Sequence, residues 1–414
     1  MSSPFFSVII PTRNRYETLR YAMRTVLDQE FAPFELIISD NSDPACYDRL
    51  AEISEYMADE RVKYYRTPSV LAMADNWEFA LSKAEGAYVI VFGDDDGLVA
   101  GSLKRLFEVI RSTKAEVVNW ARVEYSWPDR TPKEYSNLMV MPYMARTGIV
   151  DGREYTKLVA THRADYRYLP MMYCSAVSRK VLDMLKERTG RIFNASSPDI
   201  YTGFAIAYLM KRYLTIGHPM SINGVSARST GAAHTNDDKA LKKDHWQTFG
   251  QSDIKWPRLL PEIYSTYVGI IEPFLQLAKL YPELSSYISM KQIYKHIIDH
   301  LDFASHEALD EKLEKIRIAA KGDDRLFQWV EEYLANTDHK YVPAPVGGYQ
   351  DRIGFDGSHL VVDGSAFGIR NVYDASVFVD NIFGGIKDRD YGKPASLPLV
   401  RRIKKAGGII LKGM

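Results

Sequence analysis

One stretch decides how this chain is interpreted, and it reads Gly86-Ala87-Tyr88-Val89-Ile90-Val91-Phe92-Gly93-Asp94-Asp95-Asp96. Its apolar half is rich in β-branched and aromatic residues and too short for a helix, so it predicts a buried strand. Three carboxylates follow directly at the end of that strand. Charge concentrated there is costly, because like charges repel and buried carboxylates lose hydration. A divalent cation such as Mg²⁺ or Mn²⁺ removes both costs. The alternative is a solvated acidic turn that caps the next helix.

Similar apolar runs alternate with helical patterns throughout the first 120 residues. The predicted strands are 6–10, 35–39, 61–65, 87–92 and 116–120, and the predicted helices are 16–29, 45–58, 73–83 and 101–112. This alternation predicts an α/β fold, Rossmann-like, with a mostly parallel sheet covered by helices on both faces. Ligands of such sheets bind beyond the carboxyl ends of the strands. We therefore expect the chemistry at that edge.

The rest of the chain changes character several times. Residues 122–148 show poor periodicity and predict a long irregular loop. Regular structure then resumes, and the expected elements are helices at 152–161, 178–188 and 199–211 and a strand at 170–175. Residues 238–336 predict helices almost throughout, and the last segment is Gly-rich and ends in a basic tail. This pattern predicts a helical C-terminal region after the α/β part.

Composition narrows the classes of protein and of partner. The chain has 414 residues, 53 Lys and Arg against 53 Asp and Glu, and 46% hydrophobic residues. Two or three domains are expected from this length, and a net charge of zero argues against nucleic-acid binding. Cys46 and Cys174 stand alone, which argues against a disulfide framework or a zinc site. No apolar run is long enough to span a membrane and no signal peptide is evident, so we expect a cytoplasmic protein.

Polar residues also end the first two predicted strands. Pro11 and Thr12 follow the first, and Asp40 follows the second. A carboxylate at Asp40 can accept a hydrogen bond from a nucleobase or a ribose hydroxyl. The alternative is that these residues only form turns and cap the following helices. From these residues alone, neither interpretation is preferred.

The joint order of four segments resembles glycosyltransferase family 2, whose members are inverting enzymes of the GT-A fold. The segments are Ser7-Val8-Ile9-Ile10-Pro11-Thr12-Arg13-Asn14-Arg15, Glu35-Leu36-Ile37-Ile38-Ser39-Asp40-Asn41-Ser42, Asp75-Asn76-Trp77 and the stretch from Gly86 to Asp96. The resemblance covers roughly residues 5–235. It implies a nucleotide-sugar donor carrying UDP, GDP or dTDP, and Mn²⁺ or Mg²⁺ held by an Asp-x-Asp motif.

The resemblance also implies roles for particular residues. The donor-binding residues it implies are Pro11, Thr12, Arg13, Asp40, Asn76, Asp94, Asp95 and Arg228. The metal ligands it implies are Asp96, Asp94 and His234, with Asp96 as the first choice. Arg228 and His234 belong to a small-residue loop after the last predicted helix of this part. The alternatives are a flexible surface loop there and solvated arginines at positions 13 and 15.

The catalytic base that the resemblance implies is Asp199. It lies in Ser196-Ser197-Pro198-Asp199, roughly a hundred residues after the acidic motif, where the family often has a Glu-Asp pair. An acceptor hydroxyl must lose its proton as it attacks the anomeric carbon, and a carboxylate can take that proton. The same residues also predict a helix start, and both roles are compatible.

Aromatic residues follow the strand predicted at 116–120, and they are the acceptor-side candidates. Trp120, Tyr125 and Trp127 could stack on sugar rings or simply pack in the core.

The sequence therefore predicts a metal-dependent inverting glycosyltransferase that transfers a sugar to a hydroxyl of a glycan or lipid-linked acceptor, in surface polysaccharide synthesis. Its predicted parts are a GT-A catalytic domain at 1–236, a helical domain at 237–340 and a C-terminal extension at 341–414. The helical domain could form an acceptor platform or a homo-oligomer interface.

Residues 387–414 hold eight Lys or Arg and two Asp, and such a segment could lie peripherally at the inner face of the plasma membrane. A solvated tail is the alternative.

Other classes of protein remain as alternatives. A catalytically silent module that binds a nucleotide sugar or a partner is the main one. A sugar nucleotidyltransferase and a dehydrogenase are disfavoured, because residues 12–15 lack the glycine-rich turn that both place after the first strand.

Overall fold

The computed structural model describes residues 3–131, 133–143, 147–229, 243, 246–247, 249–301, 306–337, 353–355, 359–385, 391 and 393. Within them lies a twelve-stranded sheet surrounded by helices. The strands are β1 (Phe6–Thr12), β2 (Phe34–Asp40), β3 (Val62–Arg66), β4 (Tyr88–Val91), β5 (Gly97–Leu98), β6 (Val117–Ser126), β7 (Leu138–Pro142), β8 (Gly148–Asp151), β9 (Ser175–Ser178), β10 (Arg212–Val225), β11 (Gly354–Phe355) and β12 (His359–Asp363). The helices are α1 (Tyr16–Leu27), α2 (Ser54–Met57), α3 (Met73–Leu81), α4 (Ser102–Thr113), α5 (Gly152–Ala160), α6 (Arg179–Thr189), α7 (Pro198–Met210), α8 (Thr266–Leu280), α9 (Met290–Asp299), α10 (His306–Ala320), α11 (Asp324–Ala335) and α12 (Val372–Phe383).

The first four strands form the parallel part of the sheet, in the order β4-β1-β2-β3. Every residue of β1 and β2 is buried, as expected for strands covered on both faces. The chain moves outward from β1 to β3 and then returns to β4. Because such crossovers are right-handed, α1 and α3 lie on opposite faces of the sheet. The predicted α/β class is confirmed, and the parallel register brings Thr12 opposite Asp40.

Beyond β4 the sheet is mixed. β9 pairs antiparallel with both β4 and β6, and β10 runs parallel to β6 with an irregularity between Ile216 and Ser221. β7 and β12 extend this side antiparallel, and β5 and β8 pair antiparallel with β10. The end of β10 therefore lies beside the end of β4.

Parts of the predicted secondary structure were wrong. The loop expected at 122–148 contains the end of β6, all of β7 and the start of β8. The strand expected at 170–175 is a 3₁₀ turn at Met172–Cys174 that leads into β9. The side chain of Asn119 donates to the carbonyl oxygens of Leu169 and Cys174, at 3.2 and 3.1 Å. These side-chain bonds take the place of strand pairing at the two carbonyl groups. The helix expected at 45–58 is mostly a 3₁₀ helix, Pro44–Ile53.

The predicted helical C-terminal region is present. α8 packs on α7 and α5, and the helices α8 to α11 share one hydrophobic core with the sheet. α12 packs against α1 and β10, while β12 pairs with β7, so this later segment returns to the sheet. The domain boundaries near 236 and 340 stay predictions. Among the described helices, none combines the length and apolar character needed to cross a membrane.

Candidate functional site

The acidic motif after β4 is joined to the end of β1 through its first carboxylate. Asp94 is buried and accepts a hydrogen bond from the Thr12 hydroxyl at 2.6 Å. The Arg15 guanidinium lies 2.6 Å from Asp94 and 3.3 Å from Asp95, with the Arg15 side chain 18% exposed. Arg15 is thus the direct counter-ion of two of the three carboxylates. Sequence reasoning placed it in solvent, since a helix-start arginine carries no sign of a partner about 80 positions away.

The second carboxylate is joined to the end of β10. Asp95 accepts from the hydroxyl of Ser226 at 2.7 Å and from its backbone N–H at 3.3 Å. The backbones are in close contact here, because a Cβ on Gly224 would lie 1.7 Å from the Asp95 carbonyl oxygen. The indole N–H of Trp127 donates to that same oxygen at 2.9 Å. The start of the loop predicted at the diphosphate therefore lies against the acidic motif.

The third carboxylate is fully buried, as Asp94 is. Asp96 accepts from the backbone N–H groups of Gly93 and Gly224, each at 2.6 Å, and from the Tyr173 hydroxyl. Burial and the neighbouring charge of Asp95 raise the pKa of Asp96. Burial also raises the pKa of Asp94, although Arg15 opposes the rise. Three buried carboxylates with one direct cation leave excess negative charge.

The donor set fits a hard divalent cation. Mg²⁺ and Mn²⁺ are bound through one or two carboxylates plus substrate phosphates, and the acidic motif offers such oxygens at the ligand edge of the sheet. Within the part of the chain that the structure describes, no group of three His, Cys, Asp or Glu side chains is arranged to hold a metal alone. The three aspartates instead point toward different partners. His234, the third ligand implied by the resemblance, lies outside the described residues.

The residues expected around the nucleoside lie along the same edge. Pro11 and Thr12 end β1, and Asp40 ends β2 beside them. Asp40 is buried and accepts from the hydroxyls of Tyr16 and Tyr64 and from the Ser42 backbone N–H. Burial and the Asp40 charge raise the pKa of Tyr64 to about 12.

On the neighbouring helix α3, Asn76 is buried and accepts from the Ser39 hydroxyl at 2.6 Å.

Two further arginines lie above this edge. Arg13 lies 3.6 Å from Asp43, with a quarter of its side chain exposed. Arg228 is half exposed and donates to the Asn14 carbonyl at 3.1 Å. Its own carbonyl accepts from Arg15 at 3.4 Å. Arg228 therefore lies next to the arginine that pairs with the acidic motif.

Asp199 has the charge of Arg122 in its surroundings, and sequence reasoning missed both Arg122 and its neighbour Tyr173. Asp199 lies in the first turn of α7, and burial raises its pKa. The Ile200 backbone N–H and the charge of Arg122 act in the opposite direction and lower the pKa, but burial has the larger effect. The Arg122 guanidinium lies 5.7 Å from the centre of the Tyr173 ring, and Tyr173 donates to Asp96. Tyr173 therefore lies between Asp96 and Arg122, and the charge of Arg122 acts on Asp199. The antiparallel pairing of β6 with β9 creates this arrangement, and periodicity does not reveal that pairing.

The aromatic residues predicted for the acceptor side are packed in the core. Trp120 and Tyr125 are fully buried and Trp127 is 6% exposed. Trp120 donates to the Ser221 hydroxyl at 2.8 Å, and Tyr125 to Asn137 at 2.9 Å. Their ring faces are not available to a sugar in this arrangement.

One family model matches part of the chain. Residues 7–176 match the model of Glycosyl transferase family 2. A curated relative is the GalNAc(5)-diNAcBac-PP-undecaprenol beta-1,3-glucosyltransferase of Campylobacter jejuni subsp. jejuni, 30% identical over 123 residues. That match covers 29% of this chain and 39% of the relative.

Two solved structures are also similar. S. aureus TarS 1-349 in complex with UDP-GlcNAc is 13% identical, with a TM-score of 0.45, over 82% of this chain and 94% of that one. The mannosyltransferase PcManGT of Pyrobaculum calidifontis, in complex with GDP-Man and Mn²⁺, is 15% identical, with a TM-score of 0.39, over 81% and 86%. It is the match of the family model, together with the acidic motif after β4, that identifies residues 7–176 as a glycosyltransferase family 2 domain.

Proposed function

We propose that the chain is an inverting, metal-dependent glycosyltransferase that moves a sugar from a nucleotide-sugar donor to a hydroxyl of a lipid-linked or other glycan acceptor. The observation that carries this proposal is the acidic motif after β4, whose Asp96 accepts from Tyr173 beside Arg122, the arginine whose charge acts on Asp199. Such a site offers one place for a donor diphosphate and another for a base. The family 2 domain at residues 7–176 supports it.

The donor would bind along the ends of β1, β2 and β4. Thr12, Asp40 and Asn76 would face the nucleoside, while Arg13 and Arg228 would meet the diphosphate. Asp94 and Asp96 would hold Mn²⁺ or Mg²⁺, with His234 as a further candidate. When bound, the metal would neutralise charge on the leaving diphosphate.

Asp199 would take the proton from the acceptor hydroxyl. Its raised pKa makes it a stronger base than a solvated aspartate, since a base is most effective when its pKa approaches the working pH. Arg122 favours the ionised carboxylate that this role requires. In an inverting reaction the hydroxyl attacks opposite the departing diphosphate, so Asp199 would act from the acceptor side and the acidic motif from the diphosphate side.

The proposed setting follows from the relatives' names and from the C-terminal sequence. The curated relative is named for an undecaprenol-linked acceptor, and the two structural neighbours hold UDP-GlcNAc and GDP-Man. We extend this to a UDP-, GDP- or dTDP-sugar donor and to surface polysaccharide synthesis at the cytoplasmic side of a membrane. The basic tail proposed to contact that membrane lies outside the described residues, apart from residues 391 and 393.

A thermal-shift panel tests the donor site. UDP, GDP, dTDP and CMP are each added with and without Mn²⁺ to the wild type and to Asp96→Asn. The control is Asp183→Asn, an exposed acid on α6. One nucleotide at about a hundred times its Kd should stabilise by about 2.7 kcal/mol, only with metal, in the wild type and the control.

Sugar transfer is then measured with the matching nucleotide sugars and undecaprenol-linked glycan acceptors. Nucleotide binding without transfer or donor hydrolysis would favour a silent binding module instead. If none of the four nucleotides stabilises the wild type, the donor site proposed here is wrong.

A further inference from the structure

The segment that leads into α7 and Asp199 is anchored on one side by α3. The Glu78 carboxylate accepts from the backbone N–H groups of Ile192 and Phe193, at 3.0 and 3.1 Å. Arg191 pairs with Asp75 at 2.7 Å. Both acids belong to the helix that carries the predicted donor residue Asn76. This anchor therefore joins the segment to the donor side.

A second anchor comes from α8, in the helical C-terminal region. Glu272 is fully buried, and one of its oxygens accepts from both the backbone N–H and the hydroxyl of Ser196, at 3.0 and 2.8 Å. Its other oxygen accepts from Gln276 at 2.7 Å, and Gln276 accepts from Lys279 at 2.7 Å. Both oxygens of the Glu272 carboxylate thus accept hydrogen bonds from neutral groups. The Lys279 ammonium does not contact the carboxylate directly in these bonds and donates to the side-chain amide of Gln276 instead.

A buried carboxylate is an expensive anchor, because it loses hydration when its partners are neutral. Charge-assisted hydrogen bonds offset that cost, and they are shorter and more directional than neutral ones. Two residues separate Ser196 from Asp199: Ser197, at the N-cap position of α7 with no capping hydrogen bond from its side chain, and Pro198, the first residue of α7. Because proline restricts φ, little rotational freedom remains between the anchor and Asp199.

We propose that Glu272 is a positioning residue that fixes Asp199 by holding Ser196. This inference rests on the proposed function, in which Asp199 is the base, and it assigns α8 a part in the reaction. Glu272 itself would contact neither donor nor acceptor.

Hydrogen exchange tests the anchor in the full chain without any substrate. In Glu272→Gln the new amide keeps the shape but places an N–H₂ group opposite either Ser196 or Gln276, both of which donate. The matched control is Glu35→Gln, a carboxylate 3% exposed that accepts from the Ser7 hydroxyl at 2.5 Å and the Glu85 backbone N–H at 2.6 Å. Exchange across 192–201 should rise in Glu272→Gln and stay unchanged in the control.

Kinetics test the action through Asp199. With the nucleotide sugar identified by the panel, Glu272→Gln should lower kcat by about 10- to 100-fold, with the donor KM unchanged, because a misplaced base costs rate rather than donor binding. In an Asp199→Asn background the same change should cost nothing further. Ser196→Ala, which removes one bond from the other side, should act in the same direction and less strongly.

Three results would overturn the inference. They are unchanged exchange across 192–201, a loss of kcat equal in Glu272→Gln and Glu35→Gln, and a full additional loss in the Asp199→Asn background. Each leaves the proposed function intact if the wild type transfers sugar. A wild type that transfers no sugar removes the proposed function instead, and the exchange experiment still decides whether Glu272 anchors the segment.

Discussion

Replacing Arg15 with Gln should reveal how much the acidic motif depends on one cation. The guanidinium makes three contacts with two carboxylates, at 2.6 and 3.2 Å to Asp94 and 3.3 Å to Asp95. Asp94 is fully buried, so water cannot replace the lost charge. Glutamine keeps a donor in place but removes the positive charge. The experiment therefore removes the charge together with the contacts of the two terminal nitrogens.

The size of the effect follows from burial. Removing one partner of a buried ion pair costs about 3–5 kcal/mol, and the partial exposure of Arg15 favours the lower end. A loss of about 3 kcal/mol should lower Tm by roughly 3–4 °C in a chain of 414 residues. The matched control is Arg24→Gln on the same helix, whose partner Asp28 is 3.4 Å away with half of each side chain exposed. That surface pair should contribute less than about 1 kcal/mol.

The pH dependence has a definite sign. Burial raises the pKa of Asp94 in the folded state above its pKa in the unfolded chain. Protonation of Asp94 therefore stabilises the fold fully when the pH is below the pKa of the unfolded chain. This stabilisation is lost as the pH rises through the pKa of the folded state. Without Arg15 that pKa rises further. The loss in Arg15→Gln should therefore be smaller at about pH 5 than at about pH 8, measured by urea denaturation without metal. A loss no larger than that of Arg24→Gln, or one independent of pH, would refute Arg15 as the counter-ion.

Four further outcomes are expected. Asp199→Asn should lower sugar transfer by about 10²- to 10⁴-fold while the nucleotide-induced thermal shift stays unchanged; equal turnover would exclude Asp199 as the base. Tyr64→Phe removes one of the donors to buried Asp40 and should cost about 1–2 kcal/mol in urea denaturation, and no loss would contradict that bond. Trp127→Phe should cost a similar amount, since the Asp95 carbonyl loses a donor, with the acceptor KM unchanged; a raised KM would point to sugar stacking. Burial and Arg105 lower the pKa of His218 to about 4, so NMR should find a neutral imidazole at about pH 5.

The parallel strands were predictable because each is a continuous apolar run. β1 and β2 are buried along their whole length, and such strands differ from helices in length and β-branched content. β10 was not predicted, although it has 14 residues. Its sequence contains Gly217, Pro219, Asn223 and Gly224, which are typical of turns. β10 pairs with β6 on both sides of a register shift between Ile216 and Ser221, so the turn-type residues are accommodated within the strand. This accommodation depends on the pairing with β6, which the local sequence does not reveal.

The residues of the candidate site also fall into predictable and unpredictable groups. The positions of Thr12, Asp40 and the three aspartates follow from strand ends, because parallel strands bring their carboxyl ends to one edge. Arg15, Tyr173 and Arg122 were missed, because each reaches the site through a partner about 50 to 80 positions away in sequence. No local pattern marks such a contact. Asp199 was found only through resemblance, since Ser-Ser-Pro-Asp equally predicts the helix start that is present.

The matched family domain and the proposed base lie in different parts of the chain. Residues 7–176 contain the acidic motif, Arg122 and Tyr173, whereas Asp199 and its anchor Glu272 lie beyond them. Donor binding can therefore be intact while the geometry of the base depends on α7 and α8. It follows that nucleotide binding alone is a weak test of the reaction. Changes at Asp199 and Glu272, compared with changes in the acidic motif, separate a transferase from a module that only binds the donor.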